Sequence, residues 1–534
     1  MLLRHGGLSR PHPCGLVVPQ RHTVARRASP PASPDPAAPA TTKRQALLLA
    51  GGMAAGLGGS VAGAGAPSRA AAATSAEPAA ATTSGPVAAV LVGGSAPSDD
   101  AGAVETFEVD PRSGLTRLRY SPSGYRTWMW APPPDVMSSS SAAAAASSSP
   151  SRPLPPPLLR INWAAAGPVG GPPALLVHGY GASAYHWRYT MPALAAQGLR
   201  VFAVDLAGFG WSERSVELEY GGGRAWARQL AAFCEQVIAP EYAGKGGAGG
   251  TAPKVAIAGN SLGGYSSLAA AAARPDLISA IALLNSAGPF ETQAKPQPQP
   301  PQQRAGGGAG GGGAAAVAAS AAAAAAAAAA TRSAEEIANS DGDVYAALDA
   351  RQRRLEADAQ AEAERAPLSA AARRLGGGLT RAGKRAALFL AFQRARQPEQ
   401  IRSVLRMVYA SQAPVDDDLV ASIVAPTGDP RSADVFALIN GAGKGGDGGR
   451  LGVSPPPLTV DAALLRLRRF GVPVALVWGE RDPWITQSRA RQIMAIAPEA
   501  KYYGIAGAGH CPHDDAPAET SAALAEFFLG ARAV

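Results

Sequence analysis

The chain has little with which to crosslink itself or hold a metal. Its 534 residues contain three cysteines, Cys14, Cys234 and Cys511, too few for a disulfide framework. No C-x-x-C or H-E-x-x-H run marks a metal site, so neither metal nor other cofactor is expected. A phosphate-cradling P-loop is also missing. The glycine run at 306–313 has no strand before it and no lysine, and reads as low complexity. Acidic residues are nearly absent from the first 70 positions, where eight Lys and Arg face Asp35 alone. That segment carries +7 of the net +9, leaving about +2 for the rest. The basicity therefore belongs to a targeting segment, not to a nucleic-acid-binding face.

Long apolar runs are scarce too. Only residues 45–66, uncharged between Arg44 and Arg69, are long enough to span a bilayer, and their Gly/Ala content makes them weakly apolar. An Arg-rich, acid-poor segment, then an apolar stretch ending Ala64-Gly65-Ala66, has the composition of a bipartite plastid leader continuing to the thylakoid. A retained anchor and simple transit-peptide filler are the alternatives. Residues 71–115 are expected to be poorly defined. About a quarter of the Gly 62 and Pro 47 content falls in 138–157, 294–330 and 441–457, which cannot bury a packed layer and read as loop insertions. What remains is enough for one core, over 116–290 and 471–534, with a lid region at 291–470.

The most specific signal is Val255-Ala-Ile-Ala-Gly-Asn-Ser261-Leu-Gly-Gly264. A short apolar run meets a G-x-S-x-G turn, and an Ala-rich helical stretch follows. A strand-to-helix turn this tight strains the backbone at Ser261 and demands small residues at Gly259 and Gly263. A serine hydroxyl is a poor nucleophile at neutral pH and needs a base, itself oriented by an acid. The apolar run Val474-Ala-Leu-Val-Trp478 leads to Asp482, and Tyr502-Tyr-Gly-Ile505 leads to His510. Asp482 and His510 are the expected acid and base, in the order Ser, Asp, His. Leu175-Leu-Val177 ends in His178-Gly-Tyr-Gly181; the Ser261 turn resembles the nucleophile elbow of α/β-hydrolases, and that resemblance implies oxyanion donors in such a loop and in the residue after the serine, here the backbone N–H groups of Tyr180 and Leu262. Glu480 competes with Asp482, and His513 with His510. His178 and Asp205 are expected to be structural, the latter bracing its own Gly-rich turn. Cys511 reads as a buried small apolar residue.

Strand-like and helical segments alternate over 174–290, as a mostly parallel, doubly wound sheet requires. The segments at 123–130 and 158–163 read as an opening hairpin. The stretch 386–407 carries apolar residues at helical spacing. Leu388, Phe389, Phe392, Leu405 and Val408 are the expected substrate-binding residues, roofing a hydrophobic channel.

The elbow and the order of its partners resemble the α/β-hydrolase fold, which implies a helical lid inserted before the acid-bearing strand. Several runs narrow the resemblance: His178-Gly-Tyr-Gly-Ala-Ser-Ala-Tyr-His-Trp-Arg-Tyr189, Leu206-Ala-Gly-Phe-Gly-Trp-Ser212, Leu283-Leu-Asn-Ser-Ala-Gly288, Arg481-Asp-Pro-Trp484 and Ala508-Gly-His-Cys-Pro-His-Asp514. With the lid run Phe392-Gln-Arg-Ala-Arg-Gln-Pro398, they look like plastid hydrolases of the chlorophyll dephytylase and pheophytinase group. The short insert after the 205–212 loop looks more like the dephytylase branch. The resemblance implies hydrolysis of the phytyl ester of a chlorin pigment in the chloroplast, with peripheral contact at the thylakoid membrane. A general plastid esterase, a carbon–carbon bond hydrolase and a non-catalytic pigment-binding relative are the alternatives.

Overall fold

The computed structural model describes residues 105–138, 157–243, 252–291, 331–365, 386–440 and 457–531. The leader at 1–70 and nearly all of the expected insertions at 138–157, 294–330 and 441–457 lie outside the described residues. Among the described residues no helix is long and apolar enough to cross a membrane.

Residues 105–115 fall in the stretch 71–115 that was expected to be poorly defined, yet they are placed in a strand and a turn. β1 (Phe107–Val109) and β2 (Thr116–Leu118) form an antiparallel hairpin. Its turn is built by Asp110, whose carboxylate accepts from the Arg112 N–H and the Ser113 hydroxyl, while Gly114 takes φ +70°. Glu105 is tied by Arg126 and by the Ala165 N–H. Local turn chemistry and buried ion pairs order a segment whose composition carries no strand pattern.

The eight-stranded sheet begins with β3 (Arg126–Trp130) and β4 (Leu159–Ala166), the expected hairpin. β5 (Pro173–Val177), β6 (Arg200–Val204), β7 (Val255–Asn260), β8 (Ile278–Leu284), β9 (Val474–Gly479) and β10 (Lys501–Ile505) follow, in spatial order β10-β9-β8-β7-β5-β6-β4-β3. These six are parallel, and β4 meets β6 antiparallel. Every residue of β5, β6, β7 and β9 is buried, which is why their sequences read as unbroken apolar runs and not as alternation.

Successive side chains still point to opposite faces. Leu175, Phe202, Ile257, Leu283 and Trp478 pack on one face, with helices Arg224–Phe233, Leu262–Ala273 and Val460–Arg469. Ala174, Ala203, Ala258, Ala282 and Ala475 lie on the other, under Thr190–Ala196 and Pro517–Gly530. Leu176, Val201, Leu284 and Val477 share that face.

Between β8 and β9 the chain was expected to leave the core until Val472. Instead it returns twice. Ile337, Val344 and Leu348 join the core cluster, as do Val460, Leu464 and Leu467. Arg466 donates to the Ala272 carbonyl at 2.8 Å, and the Tyr265 hydroxyl donates to the Leu458 carbonyl. The roof is confined to helices 386–395, Pro398–Val408, Asp417–Val424 and Ser432–Ile439. The apolar stripe at 386–407 is not one helix. Proline disfavours helical geometry in the residue before it, so Gln397 is extended (ψ 135°) and Pro398 starts a second helix.

Candidate active site

The loops after the parallel strands converge at the carboxyl end of the sheet, the usual ligand side of such a sheet. Ser261 sits between β7 and helix Leu262–Ala273 at φ +54°, ψ −115°, a strained conformation for a side-chain-bearing residue. Its N–H donates to the Leu284 carbonyl at 2.9 Å, and its carbonyl accepts from the N–H groups of Tyr265 and Ala287. The flanking glycines are required by contact. A Cβ on Gly263 would strike the carbonyls of Val177 and His178, and one on Gly259 would strike the backbone of Gly263. Leu262 opens the helix, so its N–H has no intrahelical acceptor and is available at the positive end of the dipole.

Asp482 and His510 meet. The Asp482 Oδ2 and His510 Nδ1 are 2.7 Å apart, and both residues are buried. Asp482 also accepts from the N–H groups of Trp484 (2.7 Å) and Ile485 (3.0 Å) and from Asn285 Nδ2 (2.8 Å). Burial opposes its charge, but His510 and these donors outweigh it and hold the carboxyl below its usual range. With Nδ1 engaged, Nε2 is the ring nitrogen left for other chemistry.

Ser261 and His510 line one cavity of about 200 Å³. Its walls include Gly179 and Tyr180 after β5, Phe209 after β6, and Phe392, Leu405 and Val408 from the roof. Among the described residues no carboxylate lines it, whereas Arg214 and Arg396 do. Leu388 and Phe389, expected in the channel, are absent from its walls, and Phe389 is 49% exposed. They lie about one helical turn before Phe392 on the same helix, at a level the cavity does not reach. Periodicity identifies an apolar stripe without saying which part of a wide stripe faces inward.

The rivals are placed elsewhere. Glu480 is exposed beside Tyr502. The His513 ring stacks 4.1 Å from Trp187 with neither nitrogen partnered, and burial drives its pKa well down. His178 contacts the Gly179 carbonyl through Nδ1 and accepts from the Leu206 N–H at Nε2. That pairing makes it a neutral brace, its pKa lowered to about 4 by burial. Asp205 ties its loop to β4 and to the 184–187 turn. Cys511 is buried on the cavity wall, its thiol pushed well up by burial.

Two asparagines that the sequence did not single out do much of the positioning. Asn260 Nδ2 donates to the His510 carbonyl at 2.9 Å. Asn285, at φ +39°, brackets Gly479 and reaches Asp482. A polar residue closing an apolar strand at the carboxyl edge was the available signal. The roof grips the same loop: the His510 N–H donates to the Val408 carbonyl, and Asp515 accepts from Gly509, Ala410 and Ser411 N–H groups. Behind them, Arg188 is fully buried and bridges Asp514 to Asp416, the cap of helix Asp417–Val424.

The family described as the alpha/beta hydrolase fold matches residues 172–517, more than half of the chain. The chain belongs to that family. This α/β-hydrolase is 35% identical over 128 residues to the chloroplastic pheophytinase of Arabidopsis thaliana, 24% of each chain. It is 36% identical over 121 residues to 2-hydroxy-6-oxo-6-(2'-aminophenyl)hexa-2,4-dienoic acid hydrolase of Metapseudomonas resinovorans, covering 22% of this chain and 37% of that one. The matches thus span well under half of the curated relatives' length. Among solved structures, 2-hydroxy-6-oxo-6-phenylhexa-2,4-dienoate hydrolase from Rhodococcus sp. strain RHA1 is similar at 17% identity and TM-score 0.42, over 70% of this chain and 95% of that one.

Proposed function

We propose that the protein is a serine carboxyl-ester hydrolase that removes phytol from chlorophyll or a related chlorin pigment. The observation that carries the hydrolytic half is the largely apolar cavity that Ser261 and His510 share, with Asp482 bound to the far nitrogen of the imidazole. Ser261 Oγ attacks the ester carbonyl while His510 Nε2 takes its proton, and Asp482 stabilises the imidazolium. The oxyanion is held by the N–H groups of Leu262 and Tyr180. Collapse expels the alcohol, which receives the proton from His510, and water then cleaves the acyl-enzyme by the reverse relay.

The pigment half is supported by the motif runs shared with the dephytylase and pheophytinase group and by the partial pheophytinase match. A chloroplast location with thylakoid association belongs to the same reading, and that partial likeness and the basic, acid-poor first 70 residues support it. Phe392, Leu405 and Val408 would bury isoprenoid chain, and about 0.8 kcal/mol per buried methylene makes even partial burial worth several powers of ten in kcat/KM. The test is side-by-side incubation with chlorophyll, pheophytin and nitrophenyl acetate, with phytol measured by chromatography. Release of phytol supports the reading; an enzyme active only on the small ester overturns the pigment half. The match to the Metapseudomonas enzyme keeps a carbon–carbon bond hydrolase as the second reading, tested by cleavage of a vinylogous diketone acid.

A further inference from the structure

The cavity wall carries two cations that the proton relay does not use. Arg214, on the loop after β6, is 6% exposed. Its guanidinium donates to the carbonyls of Gly210 at 3.0 Å and Ser212 at 3.2 Å. Those bonds fix it on the wall but use only part of a fork of five N–H donors. Burial holds its pKa below the usual arginine range, and Asp429 and Asp205 oppose that shift from a distance. Among the described residues no carboxylate reaches ion-pair distance of it. Arg396, half-buried on the roof, makes no ion pair among the described residues either; its guanidinium lies 6.0 Å from the Phe392 ring.

Ser432 opens helix Ser432–Ile439 on the same wall. It is as buried as Arg214, and its hydroxyl has no hydrogen-bond partner among the described residues. The side chain of the neighbouring Arg431 reaches the Arg214 carbonyl at 3.5 Å, which brings the two segments together. Bracing of the 210–212 turn explains neither the unused guanidinium donors nor the Ser432 hydroxyl. Buried donors without acceptors are costly, so a ligand that relieves them brings an oxygen acceptor. The rest of the wall is mostly aliphatic and aromatic, and a small inorganic anion would leave it uncovered. The acceptor therefore belongs to a larger apolar body. We propose that Arg214 and Ser432 form a subsite for a second oxygen acceptor of the substrate, a ketone or carboxylate carried on the acid side of the scissile ester. This rests on the ester-hydrolase reading. The phytyl alcohol is a hydrocarbon beyond its ester oxygen, so the acceptor can lie only on the acid. Arg214 is then a specificity-determining residue, and Arg396 adds positive potential to the same cavity.

The experiment gives the full chain three nitrophenyl esters of one chain length: the hexanoate, its analogue with a ketone at the penultimate carbon, and the mono-ester of adipate. The readout is the ratio of kcat/KM for each oxygenated ester to that for the hexanoate. In the wild type at least one ratio should exceed about ten, the worth of a hydrogen bond from a charged donor. The larger of the two names the ligand as ketone-like or anionic. Arg214→Gln should bring that ratio to within about threefold of one, Arg214→Lys should retain part of the adipate ratio, and Ser432→Ala should lower the favoured ratio a few-fold. A wild type without preference overturns the proposal. So does a loss in Arg214→Gln that all three esters share, because the ratio then stands and the residue only braces its turn. Should Arg214→Gln fail to fold, Ser432→Ala decides, and an unchanged ratio there overturns the subsite. A wild type that cleaves none of the esters would instead sink the hydrolase reading. Calorimetric titration with mono-methyl adipate, the methyl ester of the oxo acid and methyl hexanoate then decides the subsite, and equal binding of all three overturns it.

Discussion

Two loops at the carboxyl edge of the sheet hold nearly the same carboxylate. Asp205, after β6, accepts from two backbone N–H groups, Ala184 at 2.6 Å and Trp211 at 2.7 Å, and from the side-chain amide of Asn162. Asp482, after β9, accepts from Trp484, Ile485 and the amide of Asn285. Both are buried. Burial lifts the Asp205 carboxyl to about 6, whereas Asp482 stays below its usual range. The main difference is the His510 ring at 2.7 Å. Burial and backbone donors make a brace, and only the imidazole makes the brace a candidate catalytic acid.

The comparison breaks most visibly in kinetics. Asp482→Asn should lower kcat about 10³- to 10⁴-fold, because the imidazole loses the partner that sets its tautomer. Asp205→Asn should leave kcat per folded molecule within a few-fold. Equal losses, measured on nitrophenyl acetate after correcting for folded fraction, would erase the distinction.

Stability should separate them next, and with opposite signs in pH. Asp205 has a raised native pKa, so its contribution is full below the unfolded value near 3.8 and is lost as pH rises through about 6. The loss amounts to about 3 kcal/mol. Asp482 has a lowered native pKa, so its contribution is full above the unfolded value and is lost as pH falls through the native one. Denaturant titrations between pH 4 and 6 should show the declining term in wild type and in Asp482→Asn. It should be missing in Asp205→Asn, which is also less stable by about 1–3 kcal/mol because an amide N–H₂ then faces a donor.

Smaller effects sharpen the picture. Asn285→Ala should cost about tenfold in kcat, the worth of one hydrogen bond to a charged group, with little change in KM; an unchanged kcat would show that the two backbone donors suffice. Glu480→Gln, at an exposed rival acid, should change neither kcat nor melting temperature, and a large loss would return the acid role to Glu480.

Much of this was legible because the signals are local. The elbow needs glycine where backbone approaches backbone, and buried parallel strands need continuous apolar runs. The hairpin at 107–118 and the core packing of helix Val460–Arg469 were not legible, since both depend on distant partners: Arg126 for Glu105 and Ala272 for Arg466. The roof shows the same limit. Pro398 marked a break in the chain itself, yet only packing decided that Phe392 faces the cavity while Phe389 faces water.

By itself the sequence determined the strand–turn–helix geometry at Ser261, the order of its partners and the parallel character of the sheet, all set by steric and solvation requirements within a few residues. Only the tertiary structure decided which aspartate meets His510, how Asn260 and Asn285 hold that pair, and how the roof fastens to the His510 loop through Asp515 and Arg188. Those contacts join residues up to hundreds of positions apart, and hydrogen-bond geometry at such distances exists only once the sheet has brought its strand ends together.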